Sequence, residues 1–331
     1  MTDTPTIKHI AISGGSLSAW GKIGALRKSH EDGFWNIQDI ESIYGTSMGS
    51  ILATFLSLLK STPYTQKYIY HWDMLEDYFV KRPWHHLFKM DLTNILHSFQ
   101  NRGIYDISLL REIFKPIFCA MDIEMDVTMA EFYEMTQIEL HFFTVELGSF
   151  ELVDISYKTH PEWKVLEAVY CSACIPFLFS PHKLADSYYI DGGFLLNFPL
   201  EKCIENILCK IDTCDKTGII GIKSKTSSLS DCIDENDSLF DYIICIFNKI
   251  MGRLGFHMKC DLSNLPNHIV CHEMYIESEF FSLYKIFHIA GCIQSRMELV
   301  QQGKDYWTKC KSNLNEPVEL VAIQDSIDEL V

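Results

Sequence analysis

Positive charge is scarce in this chain. Its 331 residues carry 28 Lys and Arg against 44 Asp and Glu, a net charge of −16. That balance repels a phosphate backbone and argues against sequence-independent nucleic-acid binding, and anionic membranes repel it too unless basic residues cluster locally. Glycine and proline are sparse, at 17 and 10 positions, while hydrophobic residues make up 47%. Collagen-like, low-complexity and disordered organisation are therefore not expected, and a globular chain with a substantial core is. No tandem repeat and no long linker interrupts residues 1–331, which read as a single domain. The opening residues lack a basic segment followed by an apolar one, so no secretory leader is expected. A long apolar run is missing as well. Residues 42–59 are uncharged, but eight of those eighteen are Gly, Ser or Thr, which fits a buried strand, a tight turn and a buried helix better than a transmembrane span.

Cysteine, by contrast, is plentiful, at twelve positions. Without a leader these read as reduced, mostly buried thiols of a cytoplasmic protein. Cys171 and Cys174 have the spacing of a redox or zinc pair but lack a second pair of ligands. Cys271 and His272, with His257 and Cys260, form a looser set of the kind that thirteen histidines produce by chance. No metal and no cofactor is expected. A phosphate-binding loop fails on spacing, since five residues separate Gly15 from Gly21 and Lys22, and Ile23 stands where a magnesium-binding hydroxyl is required. No dinucleotide-binding glycine fingerprint occurs either.

The first sixty residues read strand, loop, helix, strand, turn, helix: a β-rich run at 7–12, helix formers from 19 to about 28, a second short strand at 41–44. Such alternation predicts an α/β fold around a parallel sheet. Residues 61–137 show no clear strand and read as a helical insertion, with Asp106 capping one helix and Thr128 and Glu131 forming a capping box for another. A β hairpin is expected across 138–153, a helix from Pro161 to about Cys171, and a short strand at 188–190. Later strands are expected at 218–222 and 268–274, and helices at 239–254 and 281–301, so that about 227–331 form a C-terminal portion packed on the core. The aromatic cluster of Trp72, Trp84, His85, His86, Phe88 and Phe99 suits core packing first, and an acyl pocket or lipid interface second. Lys81, Arg82 and Lys89 form a small basic group nearby that could offset repulsion from lipid headgroups.

Three motifs carry chemistry. Gly45-Thr46-Ser47-Met48-Gly49 is a Gly-x-Ser-x-Gly pattern at a strand-to-helix turn, where Gly45 and Gly49 give strand and helix room to pass and the helix N-terminus faces the Ser47 hydroxyl. Ser13-Gly14-Gly15-Ser16 follows the first strand and can offer backbone N–H donors to an oxyanion. Asp191-Gly192-Gly193 ends a strand, and a carboxylate at the end of a parallel strand can reach another strand's C-terminal turn to serve the serine directly as base.

Taken together, these motifs resemble the patatin-like phospholipases, acyl hydrolases built on a Ser–Asp dyad. The likeness runs through the N-terminal strand and its glycine loop, the elbow at Gly45 to Gly49, the stretch from Ala168 to Pro176 and Phe177, Tyr189 to Gly193, and Asn197 and Pro199. It covers residues 7 to 200 and is only loose beyond them. Where the family usually continues its loop with a third glycine, a basic residue and another glycine, this chain has Ser16, Ser18 and Ala19. The resemblance implies a mainly parallel central sheet flanked by helices, Ser47 as nucleophile, Asp191 as base, and Gly14, Gly15 and Ser16 around an oxyanion hole. Gly45, Gly49, Gly192 and Gly193 would support the elbow and base loop. It further implies a metal-independent hydrolase of lipid acyl esters, phospholipase A-type or related, that meets a membrane or micelle surface peripherally. Two alternatives compete: an esterase with a Ser–Asp–His triad drawing on His268, His272 or His288, and an inactive relative that binds lipid.

Overall fold

The computed structural model describes residues 5–15, 17–88, 100–184, 186–209, 217–226, 269–278 and 283–314, with six positions between 242 and 250. Its main sheet contains β1 (Thr6–Ile12), β2 (Ser42–Thr46), β4 (Glu139–Glu146), β5 (Glu151–Ile155), β7 (His182–Leu184), β8 (Ser187–Asp191), β9 (Thr217–Thr226) and β10 (Ile269–Ser278). The order is β10-β9-β1-β2-β4-β8-β7, with β5 also on β4. β10, β9, β1, β2 and β4 run parallel, whereas β5 and β8 are antiparallel to β4, and β7 is antiparallel to β8. β3 (Gly103–Tyr105) and β6 (Phe177–Phe179) pair separately.

Alternate side chains explain why the central strands are apolar on both faces. Ile10 and Ile12 of β1, with Ile43 of β2 and Phe142 of β4, enter the larger core, while Ala11, Tyr44 and Phe143 enter a smaller one on the opposite face. Helices close both sides. α1 (Ala19–Glu31), α2 (Met48–Ser57), α3 (Trp72–Lys81), α4 (Ile107–Ala120), α5 (Met129–Thr136) and α6 (Val165–Ala173) contribute to the larger core, and α7 (Leu200–Leu208) closes the smaller one through Leu200, Cys203, Ile204 and Ile207.

Residues 61–137 contain α3, α4 and α5 but also the short strand β3, which pairing with β6 stabilises and which the local pattern does not announce. Asp106 caps α4 through the Ser108 N–H at 2.8 Å, and the Thr128–Glu131 capping box is present. Phe114 of α4 stacks on Phe55 of α2 at 4.4 Å, and Trp84 is buried. The basic group is already engaged. Lys81 pairs with Asp77 at 2.7 Å, and Arg82 donates to the Ile113 and Glu112 carbonyls while lying over Tyr78 and Trp84. Phe99 and Lys89 lie outside the described residues. α6 starts at Val165 rather than near Pro161, because Trp163 and Pro161 accept from Met129 and Ala130 in an extended bridge.

Beyond β10, the expected single helix is two, α8 (Leu283–Gly291) and α9 (Ile293–Leu314). α9 crosses α1 so closely that a Cβ on Gly303 would sit 1.9 Å from the Gly21 carbonyl oxygen. Gly303→Ala is therefore expected to destabilise the protein by about 3 kcal/mol, read as a lower urea midpoint at unchanged slope.

Candidate active site

β2 ends at Thr46, paired with Phe143 of β4, and the chain then turns sharply into α2. Ser47 occupies that turn at φ 56° and ψ −123°, a conformation costly for a residue with a side chain. The turn is possible only because its flanks are bare: a Cβ on Gly45 would lie 2.5 Å from the Gly49 carbonyl oxygen, and one on Gly49 2.2 Å from that of Ile12. The Ser47 N–H donates to the Ser172 hydroxyl at 3.0 Å, and Ser172 donates on to the Phe143 carbonyl at 2.7 Å. Ser47 is the N-cap of α2, yet its hydroxyl makes no capping bond, which leaves it available for other chemistry.

Asp191 reaches the same place by a different route from the one expected. It ends β8, which is antiparallel to β4, not a parallel strand. The register still delivers it to Ser47. β5 takes one edge of β4 from Phe142 to Glu146, so β2 and β8 share the other, β2 up to Phe143 and β8 from Thr144 onward. Thr144 pairs with Asp191 and Phe143 with Thr46, consecutive positions about 3.3 Å apart. The two strands thus meet head to head at the elbow.

The Asp191 carboxylate is buried, and its Oδ1 accepts the Gly193 N–H at 2.7 Å. Its Oδ2 has no hydrogen-bond partner among the described residues. The Ser47 hydroxyl lies close enough to favour the ionised form but does not close a hydrogen bond of normal geometry. Burial outweighs both hydrogen-bonding influences and raises the carboxyl to about 6. Gly192 backs directly onto the Phe143 carbonyl, where a Cβ would come within 2.0 Å.

Gly14 lies against the nucleophile, its absent Cβ 3.1 Å from the Ser47 Cβ. Its N–H, however, donates to the Asn197 carbonyl at 2.9 Å, so it is not open to an oxyanion in this structure. Gly15 takes φ +119°, and a Cβ there would be 2.5 Å from the Ser224 hydroxyl oxygen. Ser16, the third residue expected at the oxyanion hole, lies outside the described residues. Thr46 donates to the Leu196 carbonyl at 2.9 Å, which ties the segment after Asp191 to the elbow.

A family-wide sequence model of patatin-like phospholipases matches residues 10–204, more than half of the chain. The chain belongs to the patatin-like phospholipase family. Among curated relatives it is 27% identical over 201 residues to "Probable lipid hydrolase 463L" of Invertebrate iridescent virus 6, covering 60% of this chain and 63% of that protein. It is 26% identical over 196 residues to "Uncharacterized protein R571" of Acanthamoeba polyphaga mimivirus, covering 59% and 60%. The matches thus span less than two thirds of the curated relatives' length. Among solved structures, VipD from Legionella pneumophila aligns over 94% of this chain and 68% of its own, at 16% identity and a TM-score of 0.48. ExoU, in its complex with SpcU from Pseudomonas aeruginosa, aligns over 94% and 52%, at 13% and 0.41.

Within this patatin-like fold the other candidate residues fall away from the elbow. His272 lies on β10, three strand spacings or about 14 Å from β2, edge-on to Phe34. His288 lies on α8, and His268 is outside the described residues. Among the described residues no histidine acts on Asp191. Cys171 and Cys174 are unbridged thiols pushed up by burial, Cys174 to about 12, which suits packing and not redox chemistry. Among the described residues no group of three or more His, Cys, Asp or Glu could hold a metal ion, and no helix is long and apolar enough to cross a membrane. Sequence reasoning missed Ser172, a small polar residue in an apolar helix, and Lys22, a lysine with no exposed surface on α1.

Proposed function

We propose that this patatin-like protein hydrolyses fatty acyl esters of lipids, in the manner of a phospholipase A, through an acyl-serine intermediate. Ser47 attacks the ester carbonyl, Asp191 accepts its proton and returns it to the departing alcohol, and water then releases the acid with the same carboxylate as base. The Gly15 N–H donates to the oxyanion. Catalysis needs no metal in this scheme, and contact with the lipid surface is peripheral. One observation carries the reading: a strained, uncapped Ser47 beside a buried carboxylate whose Oδ2 has no hydrogen-bond partner among the described residues.

The test is product analysis by mass spectrometry on a phosphatidylcholine with two different acyl chains. Wild-type protein is expected to release fatty acid and lysolipid, and Ser47→Ala to lose about 10³-fold or more of that rate. Equal release by both proteins would remove Ser47 from the mechanism. The identity of the freed chain reports which ester position is cut.

A further inference from the structure

Lys22 is fully buried on α1, and its ammonium donates to the Ser13 carbonyl at 2.6 Å, the Ser13 hydroxyl at 3.0 Å and the Gly14 carbonyl at 2.9 Å. These three acceptors are neutral, and burial alone accounts for the lowering of its pKa to about 7. Burying an ammonium among neutral oxygens carries a desolvation cost that no counter-charge offsets. Its place in the core therefore calls for a reason other than packing.

The loop that Lys22 touches is held from a second side. Ser224 of β9 donates its N–H to the Ser13 hydroxyl at 3.0 Å and its own hydroxyl to the Gly14 carbonyl at 2.9 Å. It also meets the Ser18 hydroxyl at 2.7 Å, and Ser18 donates to the Gly15 carbonyl at 2.8 Å. Three successive carbonyls, those of Ser13, Gly14 and Gly15, thus accept from side chains behind the loop. In a trans peptide the C=O and the following N–H point in opposite directions. Drawing the Gly14 carbonyl toward Lys22 and Ser224 turns the Gly15 N–H away from them, and Ser47 lies against Gly14.

We propose that Lys22, with Ser18 and Ser224, forms a clamp that positions the Gly15 amide as oxyanion donor, with the Lys22 charge polarising the peptide it holds. Lys22 and its partners are positioning residues that do not touch the substrate. Ser18 is one of the loop positions where this chain departs from the family pattern, and Ser224 lies beyond the stretch matched to the family. The C-terminal strands therefore complete the site. The inference rests on the serine-hydrolase reading given above.

The test is steady-state kinetics with a 4-nitrophenyl ester of a short fatty acid, run together with thermal unfolding. Lys22→Met is expected to lose about 10²-fold or more in kcat and to keep KM within about twofold, alongside whatever stability the orphaned Ser13 carbonyl costs. A lysine that served packing alone would lower stability and leave kcat at the wild-type value, and folded Lys22→Met with wild-type kcat overturns the clamp. Should that variant not fold, Ser224→Ala decides: a fall of about tenfold in kcat at constant KM supports the clamp, and wild-type kcat overturns it. Ser47→Ala run in parallel separates the two readings. Hydrolysis retained by Ser47→Ala ends the serine-hydrolase reading and the clamp with it, whereas its loss beside unchanged Lys22 and Ser224 variants ends the clamp alone.

Discussion

Replacing Asp191 by asparagine is expected to slow ester hydrolysis by about 10³- to 10⁴-fold while making the protein more stable at neutral pH. The two effects have one origin. Asparagine keeps an oxygen for the Gly193 N–H but cannot accept the Ser47 proton. It also removes a buried negative charge. Because the carboxyl titrates near 6 in the folded protein against an ordinary 3.8, the folded state binds the proton more tightly than the unfolded chain does. The penalty of burying the carboxylate is absent below about pH 4, grows through pH 4 to 6, and is complete above that range, where it reaches about 3 kcal/mol. Unfolding of Asp191→Asn and wild type should therefore differ most at pH 7 and above and converge below pH 4. In the wild type, kcat/KM should rise with pH through an apparent pKa near 6 as the base ionises. A variant with wild-type turnover, or one less stable than wild type at pH 7, contradicts this account.

Arg296→Met is expected to destabilise the protein by about 3–5 kcal/mol, the range found when one side of a buried polar arrangement is removed. Arg296 is buried on α9 and donates to the carbonyls of Val80 and Arg82 at the end of α3 and of Ile289 and Ala290 at the end of α8. Helix C-termini leave such carbonyls without intrahelical donors, so one guanidinium closes two helix ends at once. Methionine fills much of the space and leaves those oxygens orphaned. Urea unfolding checks the figure, and a loss below about 1 kcal/mol would mean that water or a local shift replaces the guanidinium without cost.

How much of this was readable beforehand depends on how far apart the partners are in the chain. The elbow was legible because its requirements are local: bare flanks at Gly45 and Gly49, a serine between them, and a β run passing into a helical one. The Asp106 cap and the Thr128–Glu131 box were legible for the same reason. The direction of β8 was not. A five-residue strand carries no mark of whether its neighbour runs with or against it, and only the shared edge of β4 reveals how Asp191 reaches Ser47. β6 and β7, three residues each, are too short to show a period. The Gly14 amide looked available in the sequence, yet its acceptor, the Asn197 carbonyl, lies far along the chain. Lys22 drew attention only as part of a failed phosphate loop, since nothing in its neighbours says that it turns inward.

The place of β9 beside β1 has a consequence for where this molecule can be divided. Ser47 and Asp191 both lie before residue 204, so a shortened chain ending there would keep both groups of the proposed dyad. It would also strip β1 of its partner from Thr6 to Ile12 and lay bare a row of unanswered backbone donors and acceptors along an apolar strand. Such a border recruits other chains by edge-to-edge pairing. The stretch that inheritance has kept recognisable is thus narrower than the stretch that must fold as one body, and excising the former would yield aggregates before it yielded an enzyme.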